Sequence, residues 1–547
     1  MLLAGAALSA TPAAAARKAA PEDLARAYVE ARAASLSGQH QRSAVLLAAL
    51  ADADPNDTAV ARKAVGEAIG VGDMRLALRL APRVPQADLP VEGRLLLIAD
   101  ELRRRRSDRA LHLLSGAKDE GNLEFLGPLI RAWDSAERGD LNTALAIFDQ
   151  LPAKSLLAGY RDENRAFILL RFRRSAEAEP FARRAIGAAG GRESRLRLAL
   201  ADAFIAAGDR QRALAMVDGM GTESGNARMR VISGRSTGQS IDSVSEAYSE
   251  LLLGLAVDLN RLNNKALPLG MAQVARYADP NNSAATVLLG LLLEANDRPA
   301  DALDILRTVP DTDALGSQAR DVASRILTDQ KRFAEAYAMA QAAVAEPGSG
   351  VSDWARLGDV LEEMKRYDAA ADAYGRAVAL ASSQGFKSDI WPLHLLRATA
   401  LESAGRWPEA KQSLEAGLAA SPEQPLILNF LGYAKLERGE DLDGAEAMIR
   451  KASALAPEDA SITDSLGWAL YKRGRLPDAI DTLQRAAAAD PQQAEIHEHL
   501  GDVLFTAGRR YEARFAWRAA LITAEDDVVG RLKAKLETGL TPASAAP

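Results

Sequence analysis

There is no cysteine among the 547 residues of this chain. Disulfides, thiolate metal ligands and cysteine nucleophiles are thereby excluded, and the sequence offers no cysteine to carry a lipid anchor. Histidine is scarce too, at five residues: His40, His112, His394, His497 and His499. Only the last two are neighbours, and positions i and i+2 of a helix point to different sides, so they cannot share a metal as an i, i+4 pair does. GxxxxGK[ST], GxSxG and HExxH are all missing. No catalytic residue, metal site or cofactor is expected, and the chain is read as non-enzymatic. Positive charge is not in excess, since 67 Lys and Arg face 74 Asp and Glu for a net charge of −7; nucleic acid is not an expected partner. No apolar run approaches the roughly 18 residues that a membrane span needs, so none is expected.

What the chain does have is a period. Small residues recur as Ser43, Ala77, Ala110, Ala144, Ala178 and Ala213, then after a break as Ala302, Ala336, Ala370, Ala410, Ala445, Ala479 and Ala513. All but one of the unbroken steps are 33 to 35 residues. That spacing predicts a stacked helical array, in which one supersecondary unit is copied because it cannot bury its apolar face alone.

The clearest unit runs from Ser465 to Pro491. Leu466, Gly467 and Leu470 share one face of a first helix, Gly474 ends it, and Leu476, Ala479, Leu483 and Ala486 form the apolar stripe of a second. The next unit repeats this as Leu500, Gly501, Leu504, Gly508, Ala513, Trp517 and Ala520. Upstream, Trp354, Leu357, Gly358, Leu361, Tyr367, Ala370, Tyr374 and Ala377 match the W-x-x-L-G and A-x-x-x-F/Y elements of the tetratricopeptide pattern. On these residues the chain resembles the tetratricopeptide repeat (TPR) family over nearly everything after residue 20. The resemblance implies an all-α fold, a right-handed α-solenoid of about 13 to 14 helix–turn–helix units.

The boundaries follow from departures from the pattern. Residues 1–16 have the apolar core and small-residue cleavage site of a secretory signal, with Ala14 and Ala16 placed for the cut but no basic residue in front. An N-terminal array of about six units is expected over 17–218. A Gly- and Ser-rich loop or hinge is expected over 219–240, and a C-terminal array of about eight units over 241–524. The first of these eight is degenerate, with Pro268 where a small residue belongs. Six extra residues between Ala370 and Ala410 are assigned to Ser382–Ser388. Val528, Leu532 and Leu536 at i, i+4, i+8 suit a capping helix over 525–540, followed by a tail over 541–547.

Two constellations are candidate contact sites. Arg103, Arg104, Arg105 and Arg106 form the densest positive cluster, an electrostatic patch or a solvated helix end. In the TPR family the inner groove is lined by the side of the first helix away from the Leu-Gly edge. There this chain places Asn429 and Tyr433, then Asp464, Trp468 and Tyr471, then Glu498, Asp502 and Phe505. Stacked stripes of this kind would make an aromatic and acidic trough for a protein or peptide; the alternative for rings such as Trp468 is packing between units.

The run LNFLGYAKLERGEDLDGAEAMIRKASALAPEDASITDSLGWALYKRGRLPDAI resembles multi-repeat envelope proteins of proteobacteria, some of which are adaptors for carboxy-terminal processing proteases. The resemblance implies a periplasmic scaffold that binds a partner protein, an envelope protease among the candidates. A cytoplasmic assembly protein and an envelope scaffold for polysaccharide export are the alternatives.

Overall fold

The computed structural model describes residues 21–115, 123–218, 220, 230–236, 241–262, 266–346, 349–386 and 390–546. The expected signal segment, 1–16, lies outside the described residues, as do most of the expected hinge, 219–240, and part of the insertion at Ser382–Ser388. Among the described residues the regular structure is entirely helical. Two compact units divide the chain, residues 1–343 and 344–547.

In the first unit the helices pair as α1 (Pro21–Leu36) with α2 (His40–Ala53), and α3 (Thr58–Gly70) with α4 (Met74–Leu80). Next come α5 (Val91–Arg103) with α6 (Ser107–His112), α7 (Gly127–Glu137) with α8 (Leu141–Asp149), α9 (Arg161–Arg171) with α10 (Ser175–Ala188), and α11 (Glu193–Ala206) with α12 (Arg210–Val217). A longer hairpin, α13 (Val244–Arg261) and α14 (Ala266–Ala278), is followed by α15 (Ser283–Ala295), α16 (Pro299–Leu306), α17 (Gly316–Asp329) and α18 (Phe333–Ala345). The second unit holds α19 (Val351–Glu363), α20 (Tyr367–Ser383), α21 (Trp391–Ser403), α22 (Trp407–Ala420), α23 (Pro425–Glu437) and α24 (Leu442–Leu455). It continues through α25 (Ala460–Lys472), α26 (Leu476–Ala489), α27 (Ala494–Thr506), α28 (Arg510–Thr523) and α29 (Asp526–Thr538). Odd numbers are first helices, even numbers second helices, and α29 is the helix anticipated over 525–540.

All thirteen ladder residues, from Ser43 to Ala513, are 0% exposed. Each lies near the start of a second helix, where any larger side chain would push the pair apart. In the clearest repeats the partner in this crossing is a glycine of the first helix. A Cβ on Gly467 would stand 2.5 Å from Leu483, and one on Gly290 2.7 Å from Leu306.

A second ladder was not read from the sequence. The turn between the two helices of each pair contains a residue with positive φ, at 38, 72, 105, 139, 173, 208, 297, 331, 365, 405, 439, 474 and 508. Each stands five residues ahead of its ladder residue, except Gly439, which stands six ahead of Ala445. Eight of these are glycine, the residue that reaches left-handed φ without strain. The other five are Arg105, Arg173, Asp297, Lys331 and Lys365. Many second helices then open on an arginine that grips an acid three residues on, as Arg406 does Glu409 and Arg509 does Glu512, both at 2.7 Å. An acid in the first turn also complements the helix N-terminus.

The insertion between Ala370 and Ala410 is partly taken up by α20, which runs 17 residues to Ser383. The largest departure concerns the degenerate repeat. Instead of opening a C-terminal array, α13 and α14 belong to the first compact unit, which extends to residue 343, and they pack on α3, α5 and α7.

The left-handed turns are testable. Gly474→Ala should cost about 1 kcal/mol, because a Cβ is strained at φ +75°. Lys365→Gly, relieving the same strain at φ +57°, should be neutral or gain up to about 0.5 kcal/mol after the added freedom of the unfolded chain. The urea unfolding midpoint should fall for Gly474→Ala and hold or rise for Lys365→Gly; an equal fall in both counts against strain at these turns.

Candidate functional site

The inner side of the first unit is formed by first helices, and it is covered by the chain itself. The α13–α14 hairpin crosses α3 to α11. Tyr248 is fully buried and donates to the Leu95 carbonyl at 3.1 Å. Tyr277 donates to Asp100 at 2.8 Å, and the Val244 amide donates to Glu137 at 2.6 Å. Arg195 of α11 pairs with Glu250 of α13 at 2.7 Å, and Tyr160 donates to Asp258 at 3.0 Å. Beside them Glu163 pairs with Arg192 at 3.0 Å. Burial pushes the Glu163 carboxyl up to about 7; Arg192 opposes that shift and the nearby Glu250 adds to it.

This hairpin also accounts for the arginine cluster. The Arg103 guanidinium lies 4.4 Å from the Tyr277 ring centre. Arg104 pairs with Asp100 at 2.9 Å, and Arg106 approaches Glu101 at 3.8 Å. Arg105 is the left-handed turn residue. Arg103 to Arg106 are exposed, with Arg104 and Arg106 engaged in their own repeat and Arg103 against α14.

In the second unit, the trough residues are brought together but divide into two sets. Asp464, Trp468, Glu498 and Asp502 are buried. They form rungs between consecutive first helices. Trp468 donates through Nε1 to Glu437 at 2.9 Å and stacks on His499 at 4.1 Å between ring centres. Asp464 lies 2.7 Å from His499 Nδ1. Burial lowers the His499 pKa, yet Asp464, helped by Glu495 and Asp502, leaves it raised.

Glu498 and Asp502 are claimed by α29, which lies beside α27 as the next first helix would. Arg531 binds Glu498 through two nitrogens at 2.8 Å each. Lys535, itself 0% exposed, contacts Glu498 at 2.5 Å and Asp502 at 2.8 Å. Asp502 also accepts from Trp517 Nε1 at 2.8 Å and from the Ala546 amide at 2.8 Å. These two carboxylates are therefore inter-helix anchors, not an open acidic surface. Lys535 and His499, which complete the network, were not singled out from sequence. Their only signal was the spacing of about 34 residues that sets Glu498 beside Arg531 and Asp464 beside His499.

Asn429, Tyr433, Tyr471 and Phe505 remain half-buried. Asn429 donates to Ser465 at 3.2 Å, while its Oδ1 is buried without a hydrogen-bond partner. Tyr471 reaches Thr506 at 3.1 Å, and Phe505 packs on Trp517 with ring centres 5.5 Å apart.

Paired helices crossing on a buried small residue, repeated in both units, define a helical-repeat solenoid. Two family models match within it, one described as tetratricopeptide repeat over residues 395–460 and one as TPR repeat over 467–508. Residues 395–460 and 467–508 are tetratricopeptide repeats. A TPR repeat-containing protein of Pseudomonas aeruginosa is 31% identical over 223 residues, which is 40% of this chain and 36% of that relative. The chain thus matches about a third of the length of this curated relative. Among solved structures, the APC/C hetero-tetramer Cut9–Hcn1 aligns over 96% of this chain and 97% of its own at 16% identity, with a TM-score of 0.40. A thermophilic TPR protein of Thermus thermophilus aligns over 35% of this chain and 98% of its own at 22% identity, with a TM-score of 0.30.

Two tests follow from the buried charges. Lys535→Met strands Glu498 and Asp502 in the interior and should cost the second unit about 3 kcal/mol, read as an earlier urea transition in tryptophan fluorescence. The triple variant with Glu498→Gln and Asp502→Asn should recover much of that loss. For Glu163 the sign is set by an acid whose folded pKa, about 7, exceeds its ordinary 4.5. Its support is full below 4.5 and is lost as pH rises through 7. The first unit should be more stable at pH 5 than at pH 8 by on the order of 2 kcal/mol. Hydrogen exchange in α9 and α13 should show that difference, and Glu163→Gln should flatten it.

Proposed function

We propose that the protein is a non-enzymatic scaffold of the bacterial periplasm that holds a partner protein or peptide on the inner side of its second unit. The observation that carries this reading is the difference in cover between the units. The inner side of the first is filled by α13 and α14. Among the described residues of the second unit, no helix lies across α19, α21, α23 and α25.

The accessible part of the contact surface is Asn429, Tyr433 and Tyr471. Tyrosine offers a large contact area at small entropic cost, which suits Tyr433 and Tyr471 to a peptide partner. Residues 1–16 support export, and the resemblance to protease adaptors makes an envelope protease the first partner to test.

Crosslinking in periplasmic extract, comparing the intact chain with Asn429→Ala/Tyr433→Ala/Tyr471→Ala, tests the surface. The partner recovered by the intact chain should be reduced at least tenfold with the variant; equal recovery overturns the assignment. N-terminal sequencing of the mature protein tests the compartment, and a chain that still begins at Met1 argues against export.

A further inference from the structure

Second helices in the second unit turn one side to solvent, and four positions on that side can be compared across repeats by counting from the ladder alanine. In α20 they are Asp368, Asp372, Gly375 and Ala379; in α22, Pro408, Gln412, Glu415 and Ala419. In α24 they are Asp443, Ala447, Arg450 and Ala454; in α26, Pro477, Asp481, Gln484 and Ala488. These are polar or small, as a solvated face requires. In α28 the same positions are Tyr511, Phe515, Arg518 and Ile522. Tyr511 is 76% exposed, Phe515 51% and Ile522 83%.

The exposed side chains are organised. The Tyr511 and Phe515 rings meet edge to face at 4.9 Å, and the Arg518 guanidinium lies 5.7 Å from the Phe515 ring centre. Their spacing of i, i+4, i+7, i+11 makes one continuous stripe along four turns. Nothing in the repeat's own packing needs it, because the opposite side of α28 already buries Ala513, Ala516, Trp517 and Ala520.

We propose that α28 is a self-association helix, whose stripe packs antiparallel on the stripe of a second copy of this chain. The argument is charge. Arg510 and Arg514 lie at the N-terminal end of the stripe; Glu525 and Asp526 follow its C-terminal end, and all four are exposed. Among the described residues none of the four forms an ion pair. A two-fold axis through the middle of α28 sets the basic end of each copy against the acidic end of the other, which is the self-complementarity that an isologous interface demands. The same axis brings Phe515 of each copy against Arg518 of the other, in reach of cation–π contact, and sets the two helix dipoles antiparallel. An anionic lipid surface fits less well, since Glu512, Glu525 and Asp526 would face it. A single helix face lies at the small end of interface sizes, so the dissociation constant should be about micromolar.

Sedimentation velocity of the full chain over about 1 to 100 µM tests this. The mass should rise toward twice that of one chain. Tyr511→Ser/Phe515→Ser/Ile522→Ser, with an unchanged circular dichroism spectrum, should weaken the association at least tenfold. Arg510→Glu/Arg514→Glu should weaken it as well, and adding Glu525→Arg/Asp526→Arg should restore it. A wild-type chain that stays at single-chain mass throughout overturns the proposal, as does association that the serine variant leaves unchanged. So does stripe-dependent pelleting on phosphatidylglycerol vesicles without self-association.

Discussion

Everything in this molecule depends on one crossing, the approach of a first and a second helix over a residue with almost no side chain. A ladder residue that is 0% exposed in all thirteen pairs leaves space for nothing larger, and a glycine across from it in the clearest repeats removes the other Cβ. The left-handed turn five residues earlier aims the second helix into that contact. Close approach then lets large side chains interlock beyond it, with Trp133, Trp468 and Trp517 among the fully buried ones. Each such ring removes about 200 Å² from water, worth roughly 5 kcal/mol by area. The small residues contribute little area themselves; they set the distance at which the large ones pack.

Stacking the pairs raises a different problem, because consecutive first helices bring polar side chains together away from water. The second unit answers it with rungs about 34 residues apart in sequence. Asn429 to Ser465, Glu437 to Trp468, Asp464 to His499 and Glu498 to Arg531 are successive instances. Every rung satisfies a group that would otherwise be stranded, and stranding costs more than the pair gains. The last rungs explain why α29 carries Arg531 and Lys535. The carboxylates of α27 need cations, and α29 supplies them.

The periodic part of this arrangement was legible in the sequence. Ladder residues, helix pairs and the helix after 525 all follow from nearest-neighbour spacing, which a single chain displays directly. The left-handed turns escaped because five of them are not glycine, and Arg105 was read for its charge when its backbone was the point. Asp464, Glu498 and Asp502 were placed correctly on a shared side, but side is not exposure. Whether a carboxylate on that side faces a partner or a cation one repeat away depends on residues some 33 to 37 positions distant. Least legible was the seat of α13 and α14, since contacts such as Tyr248 with Leu95, separated by 153 residues, leave no period.

That hairpin decides where a partner can bind. Tyr248, Leu252, Met271 and Val274 are all buried, and at roughly 1.5 to 3 kcal/mol for each large apolar side chain they hold the hairpin by on the order of 10 kcal/mol before any hydrogen bond is counted. A peptide bound at micromolar affinity contributes about 8 kcal/mol, so it could not displace the hairpin even with equivalent contacts of its own. The buried pair Arg195–Glu250 raises the barrier further, because opening would separate two charges that are paired only when the hairpin is closed. The inner side of α3 to α11 is in this sense already bound. A repeat protein recognises others only with the faces it has not used on itself, and the inner side of α3 to α11 is not among them.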